Sequence, residues 1–169
     1  MLGFYTNFPQ NVQKIAAFST SISNKRLQTA LVETAQKLNN ASLQSGEISA
    51  PSLHNCTTVF EFGIAEDDAF SFLDNQERDK LVKAVNKKTF QVMDFLCAIR
   101  YYKTEEEKKV PLRFDYYMLR FMFGKNMLGL HVFHERGPMR VVPEELVEFI
   151  INKINDAFSR KVLKPSDLS

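Results

Sequence analysis

Residues 89–135 have the sequence TFQVMDFLCAIRYYKTEEEKKVPLRFDYYMLRFMFGKNMLGLHVFHE and give the clearest indication of the fold. This stretch contains three long apolar and aromatic runs, which a charged loop and a glycine turn separate. Such runs are typical of β-strands, and we expect three antiparallel strands at roughly 89–103, 111–123 and 126–134. Because apolar side chains occupy both sets of alternating positions, each face of the sheet needs a cover.

The connections between these strands have different compositions. The charge run at 104–109 is typical of a solvated loop tip. Gly124 precedes Lys125 at the second connection, and we expect Gly124 to supply the positive φ of a tight hairpin. Residues 139–142 are a candidate for a further edge segment.

Three amphipathic helices are indicated around this sheet. Apolar residues follow a helical period after Ser23 or Asn24 and stop near 39–40, which predicts the first helix. Asp74 and the glutamate three residues later form a capping signal for a second helix that ends near residue 86. Pro143, followed by two glutamates and a long apolar stripe, begins a long C-terminal helix.

The remaining segments complete the outline. A short strand is predicted from Lys14, and an alternating strand at 57–64. The Ser-, Gly- and Pro-containing stretch 41–55 indicates a surface loop, and residues 164–169 a frayed tail.

The predicted order is therefore β-α-β-α-β-β-β-α. It describes one α+β domain over residues 1–169, with an antiparallel sheet of about four to six strands and helices packed on one face. This outline is similar to the helix-grip and TATA-binding-like folds, a resemblance of topology that implies no function.

The charge balance, the apolar segments and the cysteines indicate which partners and locations to expect. The 169 residues carry 22 basic and 20 acidic side chains, and this near-balance is unlike the basic excess of proteins that grip phosphate backbones. With no basic leader and no long apolar run, we expect a cytoplasmic protein that has no contact with a membrane. Cys56 and Cys97 are expected to be free, buried thiols.

Searches for catalytic and metal-binding patterns give no strong candidate. His131 and His134 would point to opposite faces of a strand, which does not suit a metal site. There is no glycine-rich phosphate loop and no Gly-x-Ser-x-Gly elbow. We therefore expect no cofactor and no metal, and a protein that is not an enzyme.

The strongest candidate site is a mixed face of the sheet, on which polar residues surround apolar ones. Such a pattern is typical of ligand and protein interfaces. The candidate binding residues are Arg100, Tyr102, Arg113, Tyr117, His131, Phe121 and Phe133. Alternatively, the N-terminal strand and helix fold over this face, and its charges form ordinary cross-strand ion pairs.

The sequence favours a non-catalytic protein-interaction or assembly module that uses this face, with a protein partner or self-association. One alternative is a cup for a small apolar ligand beneath the C-terminal helix, as in a helix-grip fold. A second alternative is binding of single-stranded nucleic acid through the sheet aromatics.

Overall fold

The structure, a computed structural model, describes residues 1–44, 47–48 and 50–166, and these form nine strands and three α-helices. The strands are β1 (Lys14–Thr20), β2 (Ser42–Leu43), β3 (Cys56–Glu66), β4 (Ala69–Phe72), β5 (Val92–Glu105), β6 (Lys108–Pro111), β7 (Asp115–Gly124), β8 (Met127–Arg136) and β9 (Leu163–Pro165). The helices are α1 (Asn24–Leu38), α2 (Asn75–Lys87) and α3 (Pro143–Asp156), and a 3₁₀ turn spans Pro51–Leu53.

All the described strand pairs are antiparallel and belong to one sheet, in the order β2-β3-β5-β7-β8-β1-β9. Strand β4 also pairs with β3, and β6 with β5. The predicted α+β class with an antiparallel sheet is confirmed. The predicted number of strands and their order are wrong, because β2, β4, β6 and β9 are two to four residues long, too short to show an alternating pattern.

The hairpin turns differ from the sequence predictions. The predicted loop at 104–109 is largely paired, and the chain reverses at Glu106 and Glu107, with φ of 48° and 67°. The β7–β8 turn takes its positive φ at Asn126 (57°), and Gly124 does not have a positive φ. Asparagine tolerates the left-handed region because its short side chain forms local hydrogen bonds there.

The predicted helix starts are confirmed. The Ser23 side chain caps α1 by accepting from the Arg26 amide at 3.2 Å, and Asp74 caps α2 by accepting from the Glu77 amide at 2.9 Å. Helix α3 begins at Pro143, where a missing N–H costs no helical hydrogen bond. The predicted edge segment at 139–142 is not a strand, and this stretch connects β8 to α3.

The core lies between the helices and one face of the sheet. Phe60 of β3 stacks on Phe149 of α3 at 5.2 Å between ring centroids. Leu31 of α1 meets Phe95 and Phe121 of the sheet around a shared void. Helix α2 packs beside α1 and buries Leu81 and Val85. The buried apolar residues of sheet and helices form one cluster.

Two segments that were predicted to be a loop and a tail contain secondary structure. Stretch 41–55 contains β2 and the 3₁₀ turn, and Leu43, Ile48 and Leu53 are buried; positions 45, 46 and 49 lie outside the described residues. In the predicted tail, β9 pairs with β1, and the Ser166 amide donates to the Ala17 carbonyl at 2.9 Å. Residues 167–169 lie outside the described part.

Candidate functional site: the open face of the sheet

The strand registers decide which side chains share a face. Leu96 of β5 pairs with Met118 of β7, which pairs with Phe133 of β8, so these three side chains lie in one row on one face. This is the face that α1 and α3 leave uncovered, and we name it the open face. It carries Leu96, Ala98, Arg100, Tyr102, Tyr116, Met118, Arg120, Met122, His131 and Phe133.

Of the seven candidate residues, the structure brings Arg100, Tyr102, His131 and Phe133 together on the open face. Two were assigned to the wrong face. Tyr117 and Phe121 pair with Cys97 and Met93, point into the helix-covered core and are 0% and 1% exposed. A one-residue difference in the assumed register moves every side chain of a strand to the other face.

The seventh candidate, Arg113, lies outside the sheet. It is exposed in the connection between β6 and β7. Strand β6 ends at Pro111 and β7 begins at Asp115, two residues away on either side, so the sequence pattern placed Arg113 on a strand.

An N-terminal segment, residues 1–13, crosses part of the open face. The Gly3 amide donates to the Ala65 carbonyl at 2.7 Å, and the Asp94 amide donates to the Gly3 carbonyl at 2.7 Å, which wedges this segment between the ends of β3 and β5. At its other end the Gln13 side chain accepts from the His134 amide at 2.9 Å. The expected N-terminal cover therefore comes from this segment, whereas β1 extends the sheet and α1 packs on the opposite face.

A buried ion pair anchors the N-terminal segment. The Asp94 side chain is fully buried, and its two oxygens accept from Nε and Nη2 of Arg120 at 2.8 Å each. The guanidinium also donates to the Tyr5 carbonyl at 3.1 Å and lies 5.0 and 4.5 Å from the rings of Phe4 and Phe8. Bidentate pairing and cation–π contacts compensate for removing these charges from water.

His131 lies beside this anchor on the next strand, where it pairs with Arg120. Its pKa is lowered by partial burial and, to a lesser degree, by the charge of Arg120. Its ring is therefore biased toward the neutral form near pH 7.

The part of the open face beyond the N-terminal segment forms a half-buried aromatic and apolar surface. We name it the interaction patch, and it consists of Leu96, Tyr116, Met118 and Phe133 with Arg100 and Tyr102 at its border. Arg100 is paired with Glu61 at 2.6 Å. Arg136 lies over the Tyr116 ring at 5.2 Å. Phe114, 37% exposed, continues the surface with its ring 6.2 Å from that of Tyr116.

A second polar centre, on the helix-covered side, was missed by sequence reasoning. Fully buried Asp115 accepts from the Tyr101 hydroxyl at 2.6 Å and from the amides of Met139 and Arg140 at 2.7 and 2.8 Å. His134 Nε2 lies 2.8 Å from the same carboxylate. These contacts hold the β8–α3 connection against the sheet, and no local sequence spacing links their members.

The backbone and a second tyrosine complete this centre. Gly137 has a φ of 113°, and a Cβ there would overlap Phe114 and Asp115. The Tyr117 hydroxyl donates to the Val141 carbonyl. Burial is the main cause that raises the pKa of both Tyr101 and Tyr117, and the nearby carboxylate raises them further. The phenols therefore stay neutral and serve as hydrogen-bond donors.

The cysteines, the possible metal ligands and the helices bear on other functions. Cys56 and Cys97 are free and buried, and burial raises the pKa of the Cys97 thiol, which disfavours the nucleophilic thiolate. In the described ranges, no group of three or more His, Cys, Asp or Glu side chains is placed to hold a metal. None of the helices in those ranges has the length and hydropathy to cross a membrane.

Comparison of the chain with protein-family models, with curated proteins and with solved structures gave no significant match.

Proposed function

We propose that this protein is a non-catalytic protein-interaction or assembly module that binds through the interaction patch. The observation that carries the proposal is the one-sided cover of a large sheet. Helices α1 and α3 pack on one face, and the N-terminal segment crosses only part of the other. The interaction patch, which the N-terminal segment leaves uncovered on the open face, is rich in Tyr, Phe, Met and Arg, the residue types enriched at protein interfaces.

The packing of the core argues against a ligand cup enclosed between the helices and the centre of the sheet. The void that Leu31, Phe95, Phe121 and Ile150 share between helices and sheet has a volume of about 10 Å³. That volume suits at most one water molecule, whereas small-molecule sites have volumes of roughly 300–1,000 Å³.

The ion pairs argue against nucleic acid on the open face. Arg100 is paired with Glu61, Arg120 with Asp94 and Arg136 with Glu135, so these three guanidinium charges of the open face are already compensated. Binding of a phosphate backbone depends on cations that are free to replace counterions.

The first test is the molar mass in solution by light scattering across protein concentration. If the patch mediates self-association, the wild type exceeds the 19.5 kDa of one chain, and Met118→Glu restores that mass. A carboxylate in the centre of the patch would have to be desolvated on association. The matched control is Gln76→Glu, the same charge change at an exposed position of α2, and it keeps the wild-type mass.

A monomeric wild type directs the test to a different partner. A photo-crosslinking amino acid at position 118 then yields a discrete crosslinked species in cell extract, and the same amino acid at position 76 does not. A monomeric protein with the same crosslinking pattern at both positions would refute the proposed function.

A further inference from the structure

A groove at the β1 edge of the sheet lies apart from the interaction patch. It has a volume of about 820 Å³ and is lined by β1, by α3 and by β9. From α3 it receives Glu144, Val147, Glu148 and Ile151. Its size falls within the range of ligand-binding clefts.

One wall of the groove is a strand edge that β9 covers only in part. Strand β9 pairs with Phe18, Ser19 and Thr20, and the Ser166 amide reaches the Ala17 carbonyl. In the described part of the chain, β1 continues toward Lys14 with β8 on one side and no strand on the other. Among the described residues, none lies beside Ile15 in line with β9.

The direction of the backbone groups follows from the ladder. The Ala17 carbonyl and the Ser21 amide point to the β9 side, whereas the Thr20 amide bonds to Asn126 on the β8 side. Because these directions alternate along an antiparallel strand, the N–H and C=O of Ile15 point outward into the groove. The Ile15 side chain is 61% exposed. An edge of this kind is a template for another strand.

Helix α3 contributes both apolar and negatively charged side chains to the groove. Val147 and Ile151 supply the floor, each 5% exposed. At the Lys14 end of the groove lie Glu144 and Glu148, and Lys14 Nζ is 3.8 Å from Glu144. Two carboxylates against one ammonium leave this end net negative, which complements a basic side chain. Lys161 and Lys164 line the other end of the groove, beside β9.

We propose that this groove binds an extended segment of a partner protein by strand addition to β1. The segment continues the line of β9 and pairs its backbone with Ile15. An apolar side chain lies over Val147 and Ile151, and basic side chains on the same side of the strand face Glu144 and Glu148. Main-chain hydrogen bonds provide affinity in this mode, and alternate side chains provide specificity.

A second copy of the chain fits this edge poorly. Antiparallel pairing of two β1 strands about Ile15 would place residue 13 of one copy opposite Ala17 of the other, where Ser166 already bonds. Only positions 14–16 would remain free to pair, which favours a separate peptide segment as the occupant.

The test uses the peptide fluorescein-Gly-Gly-Lys-Thr-Val-Thr-Lys-amide, labelled at its N-terminus, in which alternate positions present Lys, Val and Lys to α3. Fluorescence anisotropy measures its binding to the whole protein up to about 1 mM. Ile15→Pro removes the outward N–H, while the amides of residues 14 and 16 that face β8 remain. We expect at least a tenfold weaker affinity for Ile15→Pro and a change under twofold for the control Ile15→Val.

Two further arms do not depend on the folding of the proline variant. N-methylation of both threonines removes the donors opposite Ile15 and is expected to weaken binding at least tenfold. The double variant Glu144→Gln, Glu148→Gln is expected to weaken it at least fivefold and to reduce its salt dependence.

Three outcomes would overturn the proposal. The first is that the peptide does not bind the wild type. The second is that it binds the wild type and the N-methylated control peptide binds equally well. The third is that it binds only a protein shortened after Ser166, which would assign the groove to the chain's own last residues. Because the interaction patch is untouched by these variants, each result is independent of the proposed function.

Discussion

Replacing Asp115 by asparagine tests the buried polar centre behind β7. The two carboxylate oxygens divide their partners evenly. Oδ1 accepts from the Met139 amide and lies against His134 Nε2, and Oδ2 accepts from the Tyr101 hydroxyl and the Arg140 amide. Each oxygen therefore faces one backbone donor and one side-chain group.

The size of the effect follows from this division. If an asparagine NH₂ group replaces either oxygen, it can donate a hydrogen bond to the Tyr101 hydroxyl after that hydroxyl rotates, or to the ring of His134 in its other tautomer. A backbone N–H cannot accept a hydrogen bond from that NH₂ group. In either orientation of the asparagine, the amide of Met139 or of Arg140 therefore loses its acceptor. A buried donor without a partner costs about 1–3 kcal/mol, and the lost charge assistance adds about 1 kcal/mol more. We expect Asp115→Asn to lower the free energy of unfolding by about 2–4 kcal/mol.

Urea unfolding followed by circular dichroism measures this loss, since the chain has no tryptophan to report by fluorescence. With a slope of about 2 kcal/mol per M, the midpoint falls by about 1–2 M. Hydrogen exchange of the Met139 and Arg140 amides is expected to accelerate as well. The control is Asp68→Asn, the same change at an exposed turn position with φ of 63°, and it stays within about 0.5 kcal/mol. A loss under about 1 kcal/mol with unchanged exchange would refute this role of Asp115.

Two further predictions concern pH. Because the pKa of Tyr101 and of Tyr117 is raised, Tyr101→Phe and Tyr117→Phe leave the tyrosinate absorbance change of the folded protein between about pH 9 and 11 unaltered; a smaller change in either variant would contradict their burial. The lowered pKa of His131 makes the unfolded chain bind a proton first as pH falls through about 6.5, so stability decreases there and levels off below the folded-state pKa. From about pH 8 to pH 5, the urea midpoint of the wild type should therefore fall more than that of His131→Gln. Equal decreases in the two proteins would refute this linkage.

Some elements could be predicted because their signals are local. Ser23 and Asp74 cap α1 and α2 by hydrogen bonds to amides three residues away, and Pro143 begins α3. The long strands β5, β7 and β8 could be predicted from the length and the apolar, aromatic composition of their sequences. Strand β9 could not be predicted, because its three residues pair with a strand at the opposite end of the chain.

The candidate site was predicted only in part. Arg100, Tyr102, His131 and Phe133 do share a face, but Tyr117 and Phe121 lie in the core because the register between β5 and β7 depends on both strands. The role of Arg120 was also missed. Its partners Asp94, Phe4 and Phe8 are 26 to 116 positions away in the sequence, and nothing local connects them.

Local sequence patterns were enough to predict the α+β class, the helix starts and the central strands, and they contain no strong phosphate-binding or nucleophile motif. Each of these depends on neighbouring residues, whose spacing is fixed by the covalent chain. The tertiary structure sets which sheet face stays open, which groups donate hydrogen bonds to Asp94 and Asp115, and where β1 has no second strand beside it in the described part of the chain. These features arise from pairing between distant segments, and shifting a strand by one residue would reverse the faces while leaving its local pattern unchanged.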